Sequence, residues 1–349
     1  MTVARVDFAP AEPLAPLPRS GAALLYFQRT VNVPKSRRER LLRACLGIAV
    51  RPPDVDLNDS LTALLLDVVR AEVVRGSSMD GLRWIVLDDV DQSGRRRLLA
   101  FLFEGDSAAP FAVAKAQNDA VNGSLDAEAD ALRRLHAMLP PPLRATVPSV
   151  LHYVTAPRGE VLVSSAVRGR SAYADMQSAL APSRYIDAHF RAAARWLAAF
   201  HEATRQREHV AARHGDYWAH NVLRSDDCVA VVDWEHFAPS APCAVDLFHY
   251  PLTYGVNYPW SAYRMADPEV AFARTFLERN HVSRAVRAYF ETYAARTRMP
   301  ASQLAVAFRE FLATRGTMTA DGEALAGVRA LPWPRFLARF ESATSSVFS

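Results

Sequence analysis

The run His214–Gly215–Asp216–Tyr217–Trp218–Ala219–His220–Asn221 sets a carboxylate and a carboxamide five residues apart, and Val231–Val232–Asp233–Trp234–Glu235 puts a second carboxylate twelve residues beyond Asn221. Apolar residues flank Asn221 and Asp233, so each sits at the end of a candidate strand. A carboxylate fixed there is a hard oxygen ligand of the kind Mg²⁺ takes, alongside phosphate oxygens and water. The side-chain oxygen of Asn221 adds a ligand without adding charge, and Glu235 offers a further carboxylate. Asp216 can accept a hydrogen bond from an attacking hydroxyl and then its proton. Phosphoryl transfer asks for this set: negative charge spreads over the moving group, and catalysis is mainly positioning and electrostatic neutralisation.

Lys115 supplies the cation. It follows the apolar run Phe111–Ala114, and a lysine there is costly to bury alone. Only two of the 41 basic residues are lysines, Lys35 and Lys115. In a chain so biased toward arginine, a surviving lysine marks a place where a compact point charge is needed rather than a planar fork. Glu128, thirteen residues on and near the start of the next helical segment, is its natural partner.

The elements that must hold these residues follow from periodicity. Residues 1–20 are proline-rich and read as an extended lead-in, 36–48 and 58–74 as helical, the second with a cap at Asn58–Asp59–Ser60. Residues 82–88, 97–103 and 111–117 read as three antiparallel strands joined by turn signals. A helix is expected over 124–139, ending at Pro140–Pro141–Pro142, and strands over 147–154 and 160–166. Beyond Gly169 the chain turns helical. Ile186, Phe190, Ala193, Leu197 and Phe200 form one apolar stripe, and short strands flank the charged loop 213–233. The expected class is α+β: residues 1–80 an N-terminal extension packed on the next lobe, 81–166 a β-rich lobe, 167–349 a helical lobe.

Composition narrows the alternatives. With 349 residues, half of them apolar, the chain can bury a sizeable core. The net charge of +4 is mild, and the short arginine runs at 37–40 and 95–97 lack the interleaved aromatics of a nucleic-acid surface. Cys45, Cys228 and Cys243 have no paired spacing, which argues against a disulfide framework or a zinc cluster. No signal-peptide pattern and no run of ~20 apolar residues is present, so a cytoplasmic protein is expected. His214, His220 and His236 with the two aspartates could suggest a metallohydrolase. Their spacing is unlike the tight His pairs of zinc sites, and Lys115 would be unexplained.

His-Gly-Asp-x-x-x-x-Asn followed by Asp-Trp-Glu, with a strand lysine upstream, resembles the signature of the aminoglycoside phosphotransferase and choline kinase family, which shares the protein-kinase fold. The resemblance implies two lobes, a small antiparallel sheet and a larger helical part, and ATP or GTP with Mg²⁺ as cofactors. Carried over, Asp216 is the base, Asn221 and Asp233 hold Mg²⁺, and Lys115 with Glu128 serves the α- and β-phosphates. His214 and Asp246 brace the loop. Ser93 and Gly94 would lie over the phosphates, and the adenine would lie along 163–167, at Ser165 and Ala166. The expected partners are a nucleotide and a small hydroxyl compound, with no nucleic acid and no membrane. Residues 237–300 hold seven arginines against five acidic residues, a poor match for a polycationic acceptor. Their rings, His249, Tyr250, Tyr254, Tyr258, Trp260 and Tyr263, suit a sugar or amino alcohol, or else simply pack. A catalytically dead kinase-fold binding module is the main alternative.

Overall fold

The computed structural model describes residues 59–73, 81–90, 96–118, 124–171, 183–225, 228–257, 267–318, 331–343 and 346–348. The expected helix at 36–48, the loop residues Ser93 and Gly94, and the rings Tyr258, Trp260 and Tyr263 lie outside them. The chain divides into two compact units.

The first unit is built on a five-stranded antiparallel sheet. Its strands are β1 (Leu82–Val90), β2 (Arg96–Glu104), β3 (Ala112–Gln117), β4 (Val150–Ala156) and β5 (Gly159–Ser165), in the order β1-β2-β3-β5-β4. Side chains alternate between the two faces of a strand. Leu98, Ala100 and Leu102 of β2 therefore share a face with Ala112, Ala114 and Ala116 of β3 and with Val161 and Val163 of β5, and all are buried. The helix α1 (Ser60–Val68) closes this face with Leu61, Leu64, Leu65 and Val68, which belong to the same core cluster. Each such side chain contributes about 1.5–3 kcal/mol on burial, so α1 is part of the sheet's core. Asp59 starts it: its Oδ2 accepts from the N–H groups of Leu61 and Thr62 at 3.1 and 2.9 Å. Arg96 ties that cap to the sheet, 2.6 Å from Asp59 and 2.7 Å from Asp88.

The opposite face carries Lys115, in register between Leu99 and Leu162. The helix α2 (Ser124–Met138) supplies its partner on that face. Strand β4 begins at Val150, three residues later than the sequence pattern suggests, because Pro148 has no N–H to give a ladder.

In the second unit, Pro141–Arg144 forms a single helical turn, α3, in place of the plain break expected at the proline run. Two-residue β6 (Arg170–Ser171) follows, then α4 (Ser183–Ala203). The predicted stripe of Ile186, Phe190, Ala193, Leu197 and Phe200 is buried on α4. Strands β7 (Val210–Arg213), β8 (Val222–Ser225), β9 (Cys228–Val231) and β10 (Ala238–Pro242) make two small ladders, β10-β7 and β6-β8-β9. Then come α5 (Ala244–Leu252), α6 (Pro268–Phe276), α7 (His281–Thr297), α8 (Ala301–Met318) and α9 (Trp333–Ser342). Asn280 starts α7 with a capping box on Ser283. The chain is α+β, with the kinase-like succession of a strand meander, one helix, two strands and a helical remainder. No helix among the described residues is long and apolar enough to cross a membrane.

Candidate active site

In the first unit, the ammonium of Lys115 meets both carboxylate oxygens of Glu128, at 2.8 and 2.7 Å. Glu128 is 4% exposed. A carboxylate that deep needs a charged partner, and its removal from a buried pair is far more costly than the loss of a surface one. The sheet thus presents an ammonium held by a helix carboxylate.

At the expected adenine edge, two backbone N–H groups already have partners. The N–H of Ser165 donates to Ser149 at 2.8 Å, and that of Ala166 donates to Phe111 at 2.9 Å. The Ser165 hydroxyl is engaged as well, with the N–H and hydroxyl of Ser149. These two N–H groups are spent within the unit.

In the second unit, hairpin arithmetic explains the twelve-residue spacing. Val222 of β8 pairs with Val231 of β9, and the N–H of Val232 donates to the Asn221 carbonyl at 3.0 Å. Asn221 therefore lies opposite Val232, with Asp233 one residue beyond. Asp233 has φ +68°, a left-handed conformation that Asp tolerates better than most residues. It turns the chain out of the strand direction at the carboxylate.

The loop before Asn221 is fixed at several points. Fully buried Asp246, near the start of α5, accepts the N–H groups of His214 at 2.6 Å and Gly215 at 2.9 Å. His214 is buried, and burial is the main cause that pulls its pKa below the usual histidine value. Its Nδ1 accepts the Asp216 N–H at 3.1 Å, and its Nε2 donates to the Val232 carbonyl at 3.0 Å. Both ring nitrogens are thereby used, which removes His214 from a zinc set. Among the described residues, no group of three or more His, Cys, Asp and Glu side chains gathers in a way that could hold a metal. Gly215 has φ +92° and passes so close to His236 that a β-carbon would lie 2.4 Å from its carbonyl oxygen. The glycine of the motif is thus a packing requirement.

Asn221 completes the constellation. Its amide nitrogen donates to the Asp216 carbonyl at 3.0 Å and to the Asp216 carboxylate (Oδ2) at 2.9 Å. No described residue hydrogen-bonds its side-chain oxygen. Glu235 lies beside His236, Oε1 to Nε2 3.8 Å, a contact that competes with a metal role.

His249 on α5, read from the sequence only as a ring for the acceptor or for packing, meets the loop instead. It is 1% exposed, and its Nε2 lies 3.3 Å from Asp216 Oδ1. Its place three residues after Asp246 puts both on one helix face, the signal that would have pointed it at the loop. Burial works to raise the pKa of Asp216, but hydrogen bonding and charge from His249, with charge from His214, outweigh it and hold the carboxyl below its usual value. Tyr250 and Tyr254 do not line an acceptor pocket as rings exposed to ligand would. Tyr250 stacks on Tyr289 with centroids 5.6 Å apart, and both Tyr250 and Tyr254 meet Phe190 edge-on, so they are core packing.

The first unit thus holds a sheet lysine against a helix carboxylate, and the second holds a loop that ties Asn221 to Asp216. The comparisons make the family definite. The sequence profile of the phosphotransferase enzyme family (APH) matches residues 82–296, and the chain belongs to that family. No curated protein matches it. Among solved structures, it is similar to the aminoglycoside phosphotransferase APH(3'')-Id from Streptomyces rimosus, at 16% identity and a TM-score of 0.38, covering 70% of this chain and 99% of that one. The macrolide 2'-phosphotransferase MphH from Brachybacterium faecium is similar at 15% identity and a TM-score of 0.40, with 80% and 98% covered. A thermostable mutant of the aminoglycoside phosphotransferase APH(4)-Ia, solved with ADP and hygromycin B, is similar at 12% identity and a TM-score of 0.40, with 67% and 89% covered.

Proposed function

We propose that this protein transfers the γ-phosphoryl group of ATP or GTP to a hydroxyl of a small molecule: a sugar, an amino alcohol or an antibiotic-like alcohol. The observation that carries the reading is the Asn221–Asp216 pair, in which one amide fixes the base and leaves its own oxygen for a cation. Asp216 is the base. Its carboxylate is held anionic, accepts the hydrogen bond of the attacking hydroxyl, orients its lone pair toward the phosphorus, and takes the proton as the bond forms. Lys115, braced by Glu128, neutralises the α- and β-phosphates. His214 and Asp246 keep the loop backbone in place.

Asn221 and Asp233 would hold Mg²⁺. Their donor set fits it: one neutral oxygen with no competing hydrogen bond from a described residue, and one carboxylate, which leaves positions for phosphate oxygens and water. When bound, the ion neutralises charge on the phosphate oxygens. The excess of arginines over acids in residues 237–300 favours a neutral, monocationic or anionic acceptor over a polycation.

The test is a thermal-shift screen with Mg²⁺ and ATP or GTP, followed by a panel of hydroxyl acceptors with labelled nucleotide. Asp216→Ala should keep the nucleotide-induced shift and lose most turnover. Asp233→Ala should weaken Mg²⁺–nucleotide binding itself; unchanged affinity removes its metal role. Transfer only to polybasic aminoglycosides would overturn the acceptor assignment.

A further inference from the structure

A core position on α5 calls for an apolar ring, yet it holds His249. Phe248 and Tyr250 on either side are fully buried. The Nδ1 atom of His249 is buried and has no hydrogen-bond partner among the described residues. A buried polar atom left that way is destabilising, so packing alone does not account for an imidazole here. What the ring gains lies at its other nitrogen. Asp216 Oδ1, 3.3 Å away, can only accept, so Nε2 must carry the ring proton and donate it. Nε2–H is therefore the group that His249 presents to the carboxylate.

The Asp216 carboxylate is then gripped at both oxygens, Oδ2 by the amide of Asn221 at 2.9 Å and Oδ1 by the ring of His249. The two grips come from different parts of the chain, the β8 entry and α5, so together they fix the rotation of the carboxylate about its last bond. Each oxygen keeps a second lone pair for an incoming hydroxyl.

We propose that His249 is a positioning residue for the base: it locks the Asp216 carboxylate in the orientation that receives the acceptor's proton. This rests on the reading of Asp216 as the base. It adds a residue that belongs to neither the His-Gly-Asp nor the Asp-Trp-Glu motif. The donor acts on geometry and on charge at once, since a hydrogen bond to an ionised group is among the stronger ones. Its loss reduces the chemical step and leaves the phosphates' binding groups untouched.

The experiment uses the full chain with Mg²⁺–ATP as the probe and water as the basal acceptor, and ADP release as the readout. His249→Leu, which keeps an apolar filling but no donor, should lower kcat by about tenfold to a hundredfold. KM for Mg²⁺–ATP should stay within about twofold. His249→Gln, whose amide nitrogen reaches about as far as Nε2, should recover most of the loss. Equal kcat in the Leu and Gln variants, while Asp216→Ala is inactive, overturns the proposal. Full activity of Asp216→Ala instead overturns the base assignment, and so the two failures are told apart. A second arm needs no His249 variant and no turnover. Nitrogen-15 spectra of labelled histidine should show His249 protonated on Nε2, with a resonance that moves in Asp216→Ala. Protonation on Nδ1 alone, or a resonance indifferent to Asp216→Ala, refutes the contact.

Discussion

Replacing Gly215 by alanine adds a single methyl group at the point where the loop from His214 to Asn221 is tightest. The backbone there has φ +92°, and the new carbon would lie 2.4 Å from the His236 carbonyl oxygen and 2.7 Å from the His236 β-carbon. Real β-carbons essentially never come within 3.0 Å, so the shortfall at the oxygen is 3.0 − 2.4 = 0.6 Å. The obstacle is backbone rather than the end of a flexible chain, so relief must come from moving one of two loops. Holding alanine at this φ costs about 1–3 kcal/mol, and an overpacked methyl costs about 1–3 kcal/mol more. The expected destabilisation is therefore roughly 2–6 kcal/mol. The same shift moves Asp216, the next residue, by several tenths of an ångström. Since a misplacement of ~1 Å can cost about a hundredfold in rate, turnover should fall by about tenfold or more even in the fraction that stays folded. Urea unfolding followed by tryptophan fluorescence reports on Trp196 and Trp234, both buried in the same unit. ADP release under saturating Mg²⁺–ATP reports on the site. A variant within about 0.5 kcal/mol of the parent, with unchanged turnover, refutes the claim that this glycine is a packing requirement.

Other outcomes follow from the remaining contacts. Lys115→Ala leaves Glu128 buried without its cation and should weaken Mg²⁺–ATP turnover by about a hundredfold or more, with loss of about 3–5 kcal/mol of stability. Lys115→Arg should fail to restore turnover, because a planar fork does not reproduce the compact charge that both oxygens of Glu128 hold; steady-state kinetics on both variants decides it. Asp59→Ala removes the cap of α1 and the Arg96 contact and should cost about 1 kcal/mol in urea unfolding, without effect on turnover. Stability should fall as pH drops from about 6.5 toward 4. Burial holds His201 down to about 4, so below pH 6.5 the unfolded chain binds a proton that the folded chain refuses. His214 is shifted in the same direction. The pH slope of the urea midpoint should flatten in His201→Gln.

The sequence alone determined the parts of this protein that are local. Alternation placed Lys115 on the sheet face away from the alanines, and a strand meander, helix and two strands emerged within a few residues of their observed ends, because both rest on the period of the backbone. The pairing of Lys115 with Glu128 was also legible, since a cation closing an apolar strand must find a nearby carboxylate. The spacing of Asp216, Asn221 and Asp233 became meaningful for a related reason: a hairpin converts a fixed count of residues into a fixed juxtaposition.

Tertiary structure alone decided who meets whom across long stretches of chain. His249 lies 33 residues from Asp216, and no periodicity says which face of α5 turns toward the loop until Asp246 has been seated beneath His214 and Gly215. The N–H groups of Ser165 and Ala166 were spent on Ser149 and Phe111, partners that depend on strand order rather than strand existence. Tyr250 and Tyr254 became core because α4 and α7 pack around them. In each case the deciding quantity is the location of a donor, an acceptor or a wall contributed by a distant segment, and only the packed chain fixes that.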